Sequence, residues 1–224
     1  MEFRVEGISM QTLLVEMDEA EAMFTERGGM AWLSNVDMDT SAKGGLMKGL
    51  GRMVSGESLF MTTYTAKRGG GKIAFTPEAP GTVLAMPLEA GQALLCQRDA
   101  FMCAEDSVDL SMHFHKRLGA GLFGGEGFFL QKVEGPGHVF FEIAGEAYET
   151  SLASGEVLSV DPGHIALFEP TVDFSITRVK GVRNMILGGE GLFLAKVTGP
   201  GKVWLQSLPL PNLAAKLNRY VAKS

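Results

Sequence analysis

The chain has 224 residues, 46% of them hydrophobic, with 29 glycines, two cysteines and a net charge of −6. An acidic balance argues against broad nucleic-acid binding, which needs an excess of Lys and Arg to neutralise phosphates. No apolar run approaches the roughly 20 residues that span a bilayer, and the short charged opening Met1-Glu2-Phe3-Arg4-Val5-Glu6 is no secretory signal, so a cytoplasmic location is expected.

In chain order, residues 2–8 alternate and residues 12–15 are apolar, which predicts opening strands. Residues 20–39 predict a hairpin with Trp32 in the core, and residues 40–55 a glycine-rich connection. A second hairpin over 56–75 turns at Gly69-Gly70-Gly71. Thr76-Pro77-Glu78-Ala79-Pro80-Gly81 marks a boundary. Residues 91–102 predict a hairpin around Arg98-Asp99, which leaves Cys96 and Cys103 out of register as buried, reduced thiols. Residues 125–140 form a hairpin around Gly135-Pro136-Gly137, and residues 189–204 another around Gly199-Pro200-Gly201. In each, the proline presets a type II turn and the next glycine supplies a positive φ. Phe128-Phe129-Leu130 is apolar on both faces, which marks a strand buried on both. After Leu208-Pro209-Leu210-Pro211, Asn212 is expected to cap a closing helix with Leu213, Leu217, Tyr220 and Val221 on one face, over an open sheet edge.

Similar blocks start at Gly56, Gly125 and Gly189, spaced by 69 and 64 residues, and related segments start at Ala20, Gly91 and Gly155, spaced by 71 and 64. Matching offsets in two separate elements predict three repeats: 1–75, 76–145 and 146–207, with a C-terminal helix over 208–224, all packed as one compact unit.

The glycine-rich connections carry the candidate binding or assembly residues. They are Leu46, Met47, Lys48, Leu50 and Arg52 in the first repeat, Lys116, Arg117, Leu122 and Phe123 in the second, and Arg183, Met185 and Ile186 in the third. Repeats placed around a pseudo-threefold axis would gather these apolar tips and cations at one end, a surface suited to self-association, an anionic partner or peripheral membrane contact. The alternative is that the tips pack inward and the cations form a solvated rim. Gly49-Leu50-Gly51 lacks the full phosphate-loop spacing. His113 and His115 alternate on a strand and are the candidate metal pair, with Asp109 or Glu126 as a third ligand, but Lys116-Arg117 beside them opposes a dication. The recurring Gly56-Glu57, Gly125-Glu126 and Gly189-Glu190 pairs are expected to make one structural contact three times, the carboxylate accepting hydrogen bonds or pairing with a cation.

The glycine-glutamate-aromatic blocks at 49–60, 124–129 and 188–193, with Val203-Trp204-Leu205-Gln206-Ser207, resemble the mitochondrial-biogenesis (altered inheritance of mitochondria) family, whose bacterial members were catalogued as a domain of unknown function. The resemblance implies an all-β fold of duplicated jelly-roll-like β-sandwich repeats, similar in shape to the tryptophan RNA-binding attenuation protein, here with a short C-terminal helix. It transfers no catalytic residue and no cofactor, and a fold likeness alone carries no RNA-binding role. The mitochondrial inner-membrane location of eukaryotic relatives is not carried over. The expectation is a non-enzymatic binding or assembly module that needs no cofactor, with itself (as a homo-oligomer) or another protein as partner. The rivals are a small-ligand or anion binder in clefts between repeats and a metal-dependent enzyme at His113 and His115.

Overall fold

Apolar runs of four to eight residues, separated by glycine, proline and acidic turns, are too short for helices and suit strands. The computed structural model describes residues 1–26, 28–42, 60–116, 127–178, 193–218 and 220. The first third of the chain forms β1 (Glu2–Glu6), β2 (Thr12–Met17), β3 (Ala22–Thr25), β4 (Met30–Ser34), β5 (Val36–Ala42), β6 (Phe60–Ala66) and β7 (Gly71–Phe75). The middle forms β8 (Gly81–Leu88), β9 (Ala93–Gln97), β10 (Phe101–Glu105), β11 (Asp109–Lys116), β12 (Phe128–Glu134) and β13 (Gly137–Ala144). The last third forms β14 (Ala147–Leu152), β15 (Val157–Val160), β16 (Ile165–Phe168), β17 (Asp173–Arg178), β18 (Phe193–Thr198) and β19 (Gly201–Gln206), then helix α1 (Leu210–Leu217).

The chain divides into two compact units, each drawn from separated stretches. One comprises residues 1–92, 101–109 and 135–142, the other residues 93–100, 110–134 and 143–224. The first unit holds a four-stranded sheet in the order β1-β2-β7-β4 and a six-stranded sheet in the order β5-β6-β3-β10-β13-β8. Side chains from both sheets make one core, including Leu13, Val15 and Phe75 from the smaller and Met23, Cys103 and Phe140 from the larger. The second unit holds a six-stranded sheet in the order β11-β12-β9-β16-β19-β14 and a three-stranded sheet in the order β15-β18-β17. Its core likewise joins Leu95, Phe128 and Phe168 to Val160, Ile176 and Val197. Each fully buried aromatic in these cores contributes about 1.5–3 kcal/mol from removing its surface from water. Repeats and compact units are thus different divisions of this chain.

Pairing register recurs along the chain. Met30 lies opposite Phe75, the register shifts, and Trp32 lies opposite Ala74. The same step occurs at Phe101–Phe141 and Cys103–Phe140, and again at Ile165–Leu205 and Leu167–Trp204. A second set also recurs: Ala22 pairs with Thr65, Ala93 with Glu134 and Val157 with Thr198.

The expected hairpins are corners instead. β12 pairs with β9 while β13 pairs with β10, and neither of the two follows on from the other in one sheet. The same separation holds for β3 and β4, β6 and β7, β9 and β10, and β18 and β19. The physical reason lies in the apolar runs themselves: Phe128, Phe129 and Leu130 are all buried, so the chain steps between layers at the glycines rather than folding back beside itself. The Gly135-Pro136 and Gly199-Pro200 peptides are cis, which replaces the expected type II turns, while Gly137 and Gly201 do take the expected positive φ of 135° and 144°. Consecutive strands that do pair are β1 with β2 and, on either side of the glycine-rich segments, β5 with β6, β11 with β12 and β17 with β18.

Two further expectations change. Trp32 is 55% exposed rather than in the core, because it lies on β4, an edge strand whose sheet neighbour is β7 alone among the described residues. Asn212 does not cap α1; the cap is Pro209, which makes no side-chain hydrogen bond, and Leu217 and Tyr220 are exposed at 54% and 82%. The helix touches the short 3-10 turn Pro162–His164, and its brevity leaves Tyr220 beyond its last turn.

A Cβ on Gly135 would sit 2.6 Å from the carbonyl oxygens of Leu88 and Glu89, closer than any relaxed contact. Gly135→Ala is therefore expected to cost about 1–3 kcal/mol through backbone displacement. Urea denaturation checks this, and an unchanged midpoint would contradict the tight corner.

Candidate interaction surfaces

Leu46, Met47, Lys48, Leu50, Arg52, Arg117, Leu122, Phe123, Arg183, Met185 and Ile186 lie outside the described residues, as do Gly56, Glu57, Gly125, Glu126, Gly189 and Glu190. Lys116 ends β11, where its backbone is placed. His113 and His115 lie two apart on that strand, and His113 is exposed. Among the described residues no group of three His, Cys, Asp or Glu side chains is arranged to hold a metal. Neither Cys96 nor Cys103 is in a disulfide, and both are fully buried. Burial pushes the Cys103 thiol well up, with a smaller push from Glu142, so this sulfur is a packing group rather than a nucleophile.

In the first unit, the residues beside the Gly-Pro-Gly corner line an open cavity of about 510 Å³ with Glu21, Leu88, Glu105, Asp106, Ser107 and His138 on its wall. His138 Nδ1 lies 2.9 Å from Glu105 Oε1. Phe3 stands edge-on to the imidazole with ring centroids 5.2 Å apart. The second unit repeats the position with other chemistry: the Lys202 backbone N–H donates to Glu169 Oε2 at 2.9 Å. Each carboxylate thus sits beside the residue that follows a Gly-Pro-Gly corner. The donors differ: His138 meets Glu105 through its ring, whereas Lys202 meets Glu169 through its main chain and sends its side chain to Glu149.

On the second unit, β14 and β19 present a polar cluster. Lys202 Nζ donates to Glu149 Oε1 at 2.7 Å, and Trp204 Nε1 donates to Glu149 Oε2 at 2.9 Å. The Lys202 hydrogen bond leads in holding the Glu149 carboxyl below its usual value, and the Glu149 hydrogen bond leads in holding the Lys202 ammonium above its own.

Several edge strands expose apolar side chains, among them Phe3 on β1, Trp32 on β4, Met38 on β5, Tyr148 on β14 and Val157 on β15. No motif announced these positions. Trp32 and Val157 look like ordinary buried strand residues, and each lies on a strand with a neighbour on one side only among the described residues.

The fold and its surfaces can be compared with known proteins. A family model described as "Mitochondrial biogenesis AIM24" matches residues 3–208. The chain belongs to the AIM24 family. An uncharacterized protein of Streptococcus pyogenes serotype M6 is 32% identical to this AIM24 member over 227 residues, covering 96% of the chain and 90% of that protein. A crystal structure of a Streptococcus pyogenes protein superposes with a TM-score of 0.78 at 27% identity, covering 98% of this chain and 99% of that one. The likeness spans both compact units of the AIM24 fold and carries no stated activity. Among its described residues, no helix is long and apolar enough to cross a membrane.

The Glu149 cluster sets a pH prediction. A carboxylate held low in the folded state stabilises it above the usual carboxylate pKa, and that stability is lost as pH falls through the lowered value. Glu149→Gln should therefore lower Tm at neutral pH, with the gap from wild type closing as the pH drops through the acid range. Thermal melts from pH 7 to pH 2 check this. A gap constant over that range would assign the effect to packing.

Proposed function

We propose that this AIM24-family protein is a non-enzymatic assembly module that self-associates or holds a protein partner through surfaces outside its two cores. The observation that carries the reading is Trp32, a large aromatic 55% exposed on an edge strand whose sheet neighbour among the described residues is β7 alone. Trp side chains so placed are typical anchors of protein contacts, and open strand edges are templates for pairing with another chain. The glycine-rich connections extend the same reading by composition alone, since their sequence sets the apolar residues Leu50 and Phe123 near the cations Arg52 and Arg117. A second reading, a small-ligand site, rests on the cavity of about 510 Å³ beside the Gly-Pro-Gly corner, whose wall holds the Met1 ammonium paired with Glu21, and His138 beside Glu105.

Light scattering coupled to size exclusion tests the proposal on wild type beside Trp32→Asp. The expected outcome is a defined oligomer for wild type and a folded species of lower mass for the variant. Wild type and variant eluting as the same monomer up to 100-fold different loading would contradict it.

A further inference from the structure

Each of the two six-stranded sheets is made by joining two three-stranded halves. In the first unit β3 meets β10, with Phe24 opposite Ala104 and Met23 opposite Glu105. In the second unit β9 meets β16, with Leu95 opposite Phe168 and Cys96 opposite Leu167. By their pairing within each half, β3, β9 and β15 hold one position and β10, β16 and β4 hold the other. Two joints therefore use four of these six strands. β15 and β4, the remaining two, end their sheets.

Burial follows the joints. β10 and β16 are buried along four successive residues, while β4 is mostly exposed or half-buried. Cys103 and Leu167 are 0% exposed, whereas Trp32 in the same register is 55% exposed. On the other side, β3 and β9 are buried after their first residue, while β15 is buried at its last alone. The two free strands are thus apolar positions stripped of the neighbour that covers their counterparts.

The remaining sheet edges are built differently. Edge strands are normally blunted by charge, proline or irregularity. β1 carries Glu2, Arg4 and Glu6, and β5 carries Asp37 and Asp39. β8 carries Pro87, β11 Asp109, β14 Glu149, and β17 Asp173 and Arg178. β4 (Met-Ala-Trp-Leu-Ser) and β15 (Val-Leu-Ser-Val) have neither a charge nor a proline. β4 does have a register shift, but so do β10 and β16, which pair regardless.

We propose that β15 of one copy of this chain pairs antiparallel with β4 of a second copy, rebuilding between molecules the joint that each unit makes within itself. The inference rests on the assembly reading above and deepens it by naming the partner, the strands and the register. Carrying over both internal joints puts Leu33 opposite Ser159, Trp32 opposite Val160 and Ser34 opposite Leu158. The contact is heterologous, so every added copy presents a new β4 or a new β15. Such assembly grows head to tail into a ring or a filament and not into a twofold dimer. Main-chain pairing supplies the attraction, and Trp32 gains the cover that Cys103 and Leu167 already have.

The test is disulfide trapping with the full chain. A tagged Leu33→Cys variant is mixed with an untagged Ser159→Cys variant under mild oxidation. The native thiols are fully buried and serve as the silent background. The expected product is a two-chain species containing one of each, at least tenfold above either variant alone, and a ladder of linked chains from the Leu33→Cys/Ser159→Cys double variant. Val157→Lys, at an exposed position, should abolish the wild-type oligomer without loss of fold by circular dichroism. Self-linking of Leu33→Cys alone, a bridge closed within one chain of the double variant, or an oligomer that gives no mixed product would each overturn the head-to-tail joint while leaving self-association intact. A wild type that stays monomeric at all concentrations would overturn the assembly reading along with it.

Discussion

The joint between β9 and β16, and its counterpart between β3 and β10, is the interaction on which the architecture depends. Buried backbone N–H and C=O groups must be paired, since water cannot reach them. β10 and β16 are buried along most of their length, so each needs a strand on both sides. One side is met by β13 or β19. The other is met by a strand from the preceding stretch of sequence, β3 or β9. A single three-stranded half would leave the joint unmade, which is why the compact units interleave distant segments and do not follow the chain in order.

The corners serve that joint. At Gly135-Pro136-Gly137 the chain leaves one sheet for another, and no side chain fits at Gly135 against the backbone of Leu88 and Glu89. The next residue then meets a carboxylate in each unit, His138 with Glu105 and Lys202 with Glu169. Carboxylates thus sit at the corner in both units.

Strand content was legible in the residues. Runs such as Phe128-Phe129-Leu130 declared burial on two faces, and the glycines after the prolines declared positive φ. Pairing was not legible. Neighbouring strands around Gly-Pro-Gly read as a hairpin because a tight turn and a corner use the same residue types; which one forms depends on layers that no local pattern encodes. Trp32 read as core because its type and setting match buried strand residues, and it is exposed because β4 has a strand on one side only among the described residues. The opposite error affected α1, where Asn212 had the chemistry of a cap but Pro209 had already started the helix. The loop residues singled out in the sequence, Leu50 and Phe123 among them, fall outside the described residues, so the surfaces that can be described came from topology instead.

Amide hydrogen exchange followed by mass spectrometry, as a function of protein concentration, tests the central claim most directly. The joints within each unit, at β3–β10 and β9–β16, should be protected equally at every concentration. Protection over Met30–Ser34 and Val157–Val160 should be low in dilute protein and rise together as concentration rises. Protection of these two segments that is already high in dilute protein, or that stays unchanged across a 100-fold range, would contradict the account.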